Sequence, residues 1–315
     1  MSTRLVGERV ARVEDPRMLT GGGRYLDDLS HDALTAAFVR SPHAHARITD
    51  IDVTGALEIE GVVAVYTWDD LDDADRAEGS QAAAPLPVLI PHPALTHART
   101  PRALARDVVH HVGEAVVMVV ARDRYVAEDA CGRIVVSYDP LPAVVGVAQA
   151  RAGEVLVHPD VPGNIAAHLV QGDDGVEAAL AAAPHLIELD LEIERSASMP
   201  MEGKGVYARW DVRDDSLRMY SSTQTSTSVR LAVAARLGLP PSKVECIAPD
   251  VGGGFGVKIV HPWPEEVLVP WAARRLARAG VAAEVIWTED RREHFVSSAH
   301  ERAQLQHIRV GVDDE

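Results

Sequence analysis

The chain has 315 residues, a hydrophobic fraction of 47% and a formal net charge of −16, from 47 acidic against 31 basic residues. This length allows two domains with an ample buried core, and the composition is that of an ordinary globular protein. No basic run is present to displace counterions, which argues against nucleic-acid binding, and apolar runs such as AVVMVVA fall far short of the roughly 20 residues that cross a bilayer.

The opening MSTRLVGERVARVEDPR has no apolar core and does not read as a secretory signal, so a cytoplasmic location is expected. Residues 1–30 read as an extended arm that ends on the flexible turn Gly21, Gly22, Gly23. Strand and helix patterns alternate over residues 31–150. ALTAAFVRS suits a strand, ARITDIDV a half-exposed alternating strand and GVVAVYTW a short β-rich run, whereas WDDLDDADRAE reads as scattered surface acid. The Pro-, Ala- and His-rich stretch Ser80–Pro101 reads as a long loop. GEAVVMVVA is expected as a buried strand, Asp123 as the cap of a helix over RYVAEDACGR, and IVVSYDPLPAV as a further strand. This alternation marks an α/β or α+β unit. A looser stretch around RAGEVLVHPDVPGN places a domain boundary within residues 150–165.

Residues 165–315 form the second expected domain. Asp173 or Asp174 opens a helix over VEAALAAA, ended by Pro184, and HLIELDLEIE alternates as a strand. GVYARWD and SLRMYSS pair across VRDD. A helix starts near Thr225–Ser228 and stops at Gly238, and the strand KVECIA leads directly into DVGGGFGVK. PEEVLVPWAARRLARAG is helical, with Glu265 and Glu266 at its positive end and Pro270 expected to kink or interrupt it. AAEVIWTED follows as a strand. Trp271 and Trp287 are assigned to the core, and the run Glu289, Asp290, Arg291, Arg292, Glu293 to local ion pairs on a surface or interface. Cys131 and Cys246, far apart in apolar surroundings, make neither a zinc site nor an iron–sulfur cluster by themselves and read as buried thiols.

The strongest chemical signal is Gly252, Gly253, Gly254, Phe255, Gly256. Without Cβ atoms, backbone amides can approach a ligand closely, and successive amides in a tight turn form a nest for oxygen atoms or anions. A plain glycine-rich turn fits the same residues. Spacing excludes a P-loop, because Val257 precedes Lys258 and Ile259 follows it, and a dinucleotide fingerprint, because Val257 stands where its third glycine belongs. Gln224, between a strand end and a helix start, could donate its amide to a bound oxygen or serve as a capping or surface side chain. Glu202, beside Met199 and Met201, fits a buried site residue or a surface loop. His43 with His45, and His110 with His111, are imidazole pairs without an evident third metal ligand.

The order STQ, helix, strand, GGGFG-x-K resembles the molybdopterin-binding large subunits of the xanthine dehydrogenase and aldehyde oxidase family, most of all its aerobic carbon monoxide dehydrogenase-like branch. RVEDPRMLTGGGRYLDD, RSPHAHARI, VGEAVVMVVA with AEDA, and YDPLPAVV resemble that family's hammerhead-type domain. PMEGKGVYARWD and WTEDRREHF resemble the start of its molybdenum-binding region. The implied fold is α+β: an N-terminal α/β hammerhead-type domain, then the first part of a molybdenum-cofactor-binding α+β domain. The resemblance implies that Gln224 hydrogen-bonds the apical oxo group of molybdenum, and that Gly253, Gly254, Phe255 and Gly256 line the metal and pterin. It places Glu202 near the pocket without a step of its own.

The implied activity is that of a molybdenum hydroxylase, oxidising a small substrate with oxygen from water. The cofactor would be molybdenum-molybdopterin in its cytosine dinucleotide form, with FAD and [2Fe-2S] on a medium and a small partner subunit. Family chains are more than twice as long, and the general-base glutamate lies in their later half, so no catalytic residue is assigned here. A chain carrying that remainder is an expected partner. The alternative is a truncated or non-catalytic interaction module that keeps the fold without the cofactor. GVK replaces the commoner GGK ending of the bend, and MEGKG the commoner MEPRG.

Overall fold

The computed structural model describes residues 6–29, 32–259 and 262–314. Residues 1–5 and 30 of the expected arm, residue 31 at its junction, residues 260–261 and residue 315 lie outside the described residues.

In chain order the first half forms α1 (Asp15–Leu19), β1 (Leu34–Arg40), β2 (Ala46–Asp52), α2 (Thr54–Leu57), β3 (Val62–Tyr66), α3 (Trp68–Glu78), β4 (Val108–Val109), β5 (Ala115–Ala121), α4 (Arg124–Cys131), β6 (Val135–Pro140) and α5 (Val147–Ala152). The second half forms α6 (Val176–Ala182), β7 (His185–Ile193), β8 (Gly205–Asp211), β9 (Ser216–Ser221), α7 (Ser226–Arg236), β10 (Val244–Ile247), α8 (Pro264–Arg278), β11 (Glu284–Thr288), α9 (Arg291–Ser297) and β12 (Gln304–Val312).

A seven-stranded mixed sheet, β10-β9-β8-β11-β1-β5-β3, carries the molecule. It draws strands from both halves of the chain, joined where β1 runs parallel to β11 with Leu34 opposite Val285. A second sheet, β4-β2-β6, and a two-stranded ribbon, β12-β7, complete the strands of the described residues. β5 is buried along its whole length. Met118 and Val120 enter one core with Phe38, Trp210, Trp271 and Trp287, and Val117 and Val119 enter the other with Ala46, Ala130 and Ile134. Burial on both faces is why its sequence reads as an unbroken apolar run.

Several expectations are corrected. Helix α8 runs unbroken through Pro270. Proline removes one backbone hydrogen bond, and packing against β8 and β11 keeps the helix from being interrupted there. WDDLDDADRAE is helix α3, started by a reciprocal cap in which Asp70 accepts from the Thr67 amide at 2.7 Å, and seated on Leu71 and Ala74. The alternation of β2 breaks at a bulge between Ile48 and Asp50, so that Ile48 and Ile51 pack on one core. Helix α6 starts after Gly175, because Asp173 turns its side chain to the Gly175 amide at 2.7 Å.

The acidic ends of the run at 289–293 are not at the surface. Glu293 joins Glu265 on the buried guanidinium of Arg40, and Glu289 pairs with buried Lys204 and His294. The Asp290 carboxylate caps the Glu293 amide at 2.7 Å and so begins α9, the turn that carries Glu293 toward Arg40. Both cysteines are free and partly buried, and burial pushes each thiol up to about 12. Among the described residues no helix is long and apolar enough to cross a membrane.

Candidate functional site

β9 and β10 lie parallel, joined by α7, with Tyr220 opposite Ile247. Their carboxyl ends therefore open side by side, the kind of edge at which parallel sheets bind ligands. Gln224 emerges just past β9 and the glycine bend just past β10. β8 runs antiparallel to β9, with Val206 opposite Ser221, so the segment holding Glu202 arrives at the same edge.

The bend uses conformations and approaches that side chains resist. Gly253 and Gly256 have φ of +103° and +91°, and a Cβ on Gly254 would sit 2.6 Å from both Cδ and Oε1 of Gln224. A Cβ on Gly252 would sit 2.5 Å from that of Glu202. Phe255 adopts a left-handed φ of +49° and is 71% exposed, a strained aromatic held out at the loop tip.

The amides of the bend divide into two groups. Gly252 donates to Glu202 Oε2 at 2.8 Å, Gly256 to Gln224 Oε1 at 3.2 Å, and Val257 to the Gly254 carbonyl at 3.0 Å. The three successive amides between, of Gly253, Gly254 and Phe255, have no acceptor among the described residues, and neither does the Nε2 amide of Gln224. Adjacent unengaged N–H groups on a bend of mixed handedness form an oxygen-accepting concavity. The donor set present therefore fits a ligand rich in negatively charged oxygen.

Two residues not singled out in the sequence hold this arrangement. Lys258 is fully buried, and its ammonium donates to Glu202 Oε2 at 2.8 Å. Burial lowers the Lys258 pKa, and the Glu202 partner opposes that shift. The Lys258 carbonyl accepts from the Gln224 amide at 3.0 Å and the Thr223 hydroxyl at 3.2 Å. The detectable signal was a lone cation flanked by Val257 and Ile259.

Asp250 anchors the approach to the bend. It takes both Arg17 guanidinium nitrogens, at 2.5 and 2.7 Å, and the Arg24 amide at 2.7 Å. The hydrogen bond from Arg17 holds its carboxyl down at about 2. The arm, expected to be extended, thus contains the turn α1 and is fixed to the site. Glu202 is partly buried, whereas Met201 beside it is 93% exposed.

The histidines lie elsewhere. The His45 ring stacks on His110 with centroids 5.7 Å apart, His110 lies 4.5 Å from His158, and His43 packs on Tyr138. Burial first, then the neighbouring imidazoles, pushes the His110 pKa down to about 4. Among the described residues no three His, Cys, Asp or Glu side chains are placed to hold a metal ion.

The profile of the molybdopterin cofactor-binding domain matches residues 157–315, a span that includes Glu202, Gln224 and the whole bend. The a/b hammerhead domain of aldehyde oxidase and xanthine dehydrogenase matches residues 20–142. The chain belongs to the xanthine dehydrogenase and aldehyde oxidase family. Its fold is that family's hammerhead domain followed by part of the cofactor-binding domain.

Among similar family members, the nicotine 6-hydroxylase large subunit of Paenarthrobacter nicotinovorans is 36% identical over 99% of this chain and 36% of its own length. The carbon monoxide dehydrogenase large chain of Hydrogenophaga pseudoflava is 31% identical over 93% of this chain and 36% of its own length. The crystal structure of quinoline 2-oxidoreductase from Pseudomonas putida 86 matches with a TM-score of 0.86 and 34% identity, over 98% of this chain and 37% of that one. The chain thus spans little more than a third of the length of these family members.

Proposed function

We propose that this chain supplies the cofactor-cradling part of a molybdenum hydroxylase large subunit. One observation carries the reading: three consecutive amides and the carboxamide N–H of Gln224, none with an acceptor among the described residues, meet at one sheet edge. Gln224 would donate to an oxygen on molybdenum, and the amides of Gly253 and Gly254 with that of Phe255 would receive oxygen atoms of the metal–pterin group. Fixed donors aimed at negatively charged oxygen bind without reorganising when the ligand arrives. Gly256 keeps its amide on Gln224, which orients the carboxamide. The ring of Phe255 would wall the group from water. Once bound, the cofactor would supply the oxidation of a small substrate with oxygen from water.

The family resemblance favours the cytosine dinucleotide form of molybdopterin, with electrons leaving to FAD and [2Fe-2S] on partner subunits in the cytoplasm. The general base would come from the remaining part of a large subunit. The ribbon β7–β12 supports contact with such a part. On one face Ile187, Leu189 and Leu191, with Ile308 and Val310 opposite, are 38–57% exposed. On the other, Arg309 pairs with Glu177 and Glu188, and His307 with Asp190. An aliphatic face of this size on a two-stranded ribbon calls for a covering chain.

The test is coexpression with neighbouring subunits, followed by metal and pterin analysis of the purified assembly. Molybdenum and pterin in near-equal amounts are expected. A folded assembly holding neither would leave the interaction module as the reading.

A further inference from the structure

We propose that Lys258 is a positioning residue: its buried ammonium and its carbonyl together set the distance between the Gln224 side chain and the glycine bend. The inference deepens the cofactor reading, since it names what holds the donors that reading uses. Lys258 binds to both sides of the site. Through Nζ it holds Glu202, whose same Oε2 receives the Gly252 amide, while the Glu202 amide donates to the Gly252 carbonyl at 3.2 Å. Through its carbonyl it holds the backbone of Gln224 and the hydroxyl of Thr223. The start of the bend, the end of β9 and the segment before β8 are therefore tied to one residue.

The construction is exacting because charge is buried in it. The Lys258 side chain is sealed from solvent, and Oε1 of Glu202 has no hydrogen-bond partner among the described residues. Removing one partner leaves the other charge in low dielectric without compensation, whereas removing both does not. The bend would then relax where it is softest, at the amides that meet the ligand. The ammonium of Lys258 is taken up by the pair with Glu202, so its effect on a ligand acts through geometry.

The experiment compares Lys258→Met, Glu202→Gln and the double variant in the 315-residue chain by amide hydrogen exchange. Each single variant is expected to raise exchange at Gly252, Gly256 and Gln224 by roughly tenfold or more, with the buried strands β8 and β9 unchanged. The double variant is expected to recover part of that protection, because no unpaired charge remains. In the coexpressed assembly each single variant is expected to retain less pterin, read by fluorescence after oxidation. Unchanged exchange at the bend in either single variant would overturn the proposal, as would loss of protection throughout the sheet in both, which would mark the pair as a general support of the fold. Local loosening in an assembly whose wild-type form holds no pterin would leave the positioning role standing and refute only the cofactor reading.

Discussion

At the scale of single residues, binding and stability are expected to separate. Gln224 is exposed, and its side chain makes one long hydrogen bond to the bend. Gln224→Ala is therefore expected to change unfolding free energy by less than about 0.5 kcal/mol. It should lower the pterin and molybdenum content of the assembly roughly tenfold, the loss of one hydrogen bond to a charged ligand. Gly254→Ala should fail in binding while leaving the fold nearly as stable. Its methyl would meet Gln224 Cδ at 2.6 Å, while the Gln224 backbone is tethered by Lys258. The exposed Gln224 side chain can swing aside, so a stability loss of less than about 1 kcal/mol is expected in denaturant titration, together with loss of pterin because the carboxamide is displaced. The glycines and Gln224 were legible in the sequence because their chemistry shows in residue type. Lys258 and Asp250 were not, because their partners, Glu202 and Arg17, lie far away along the chain.

At the scale of elements, the long strands and helices were legible where burial imposes a period, as in β5, α4 and α7. Local exceptions hid the rest. The bulge in β2 disturbs its alternation, and the cap of α3 lies in a segment so acidic that its two buried positions, Leu71 and Ala74, are easily overlooked. An interruption at Pro270 was expected and does not occur, since packing carries the helix through it. Helix α8 carries a pH-dependent feature at its start. Glu266 is wholly buried, accepting from Ser221 Oγ at 2.7 Å and the Trp263 amide at 3.0 Å, and burial raises its carboxyl from 4.5 to about 7. A raised folded-state pKa gives stability that is complete below 4.5 and is lost as pH rises through about 7. Glu266→Gln should remove that loss, so that unfolding free energy falls less between pH 5 and pH 8 than in the wild type, by up to roughly 3 kcal/mol in denaturant titrations.

At the scale of the whole molecule, one sheet joins the hammerhead strands β1, β3 and β5 to the strands that present the bend, so the site rests on a shared core. The ribbon β7–β12 stands outside that core. Replacing Ile187, Leu189, Ile308 and Val310 by Thr is expected to leave the main sheet folded by circular dichroism and to abolish capture of the coexpressed partner chain. Unaltered capture would move the interface elsewhere. The most direct measurement for the whole account is a structure of the cofactor-loaded assembly. Oxygen atoms of a molybdenum–pterin group are expected about 3 Å from the amides of Gly253, Gly254 and Phe255 and from Gln224 Nε2. A loaded assembly in which that group lies elsewhere, with those four donors facing only water, would contradict it.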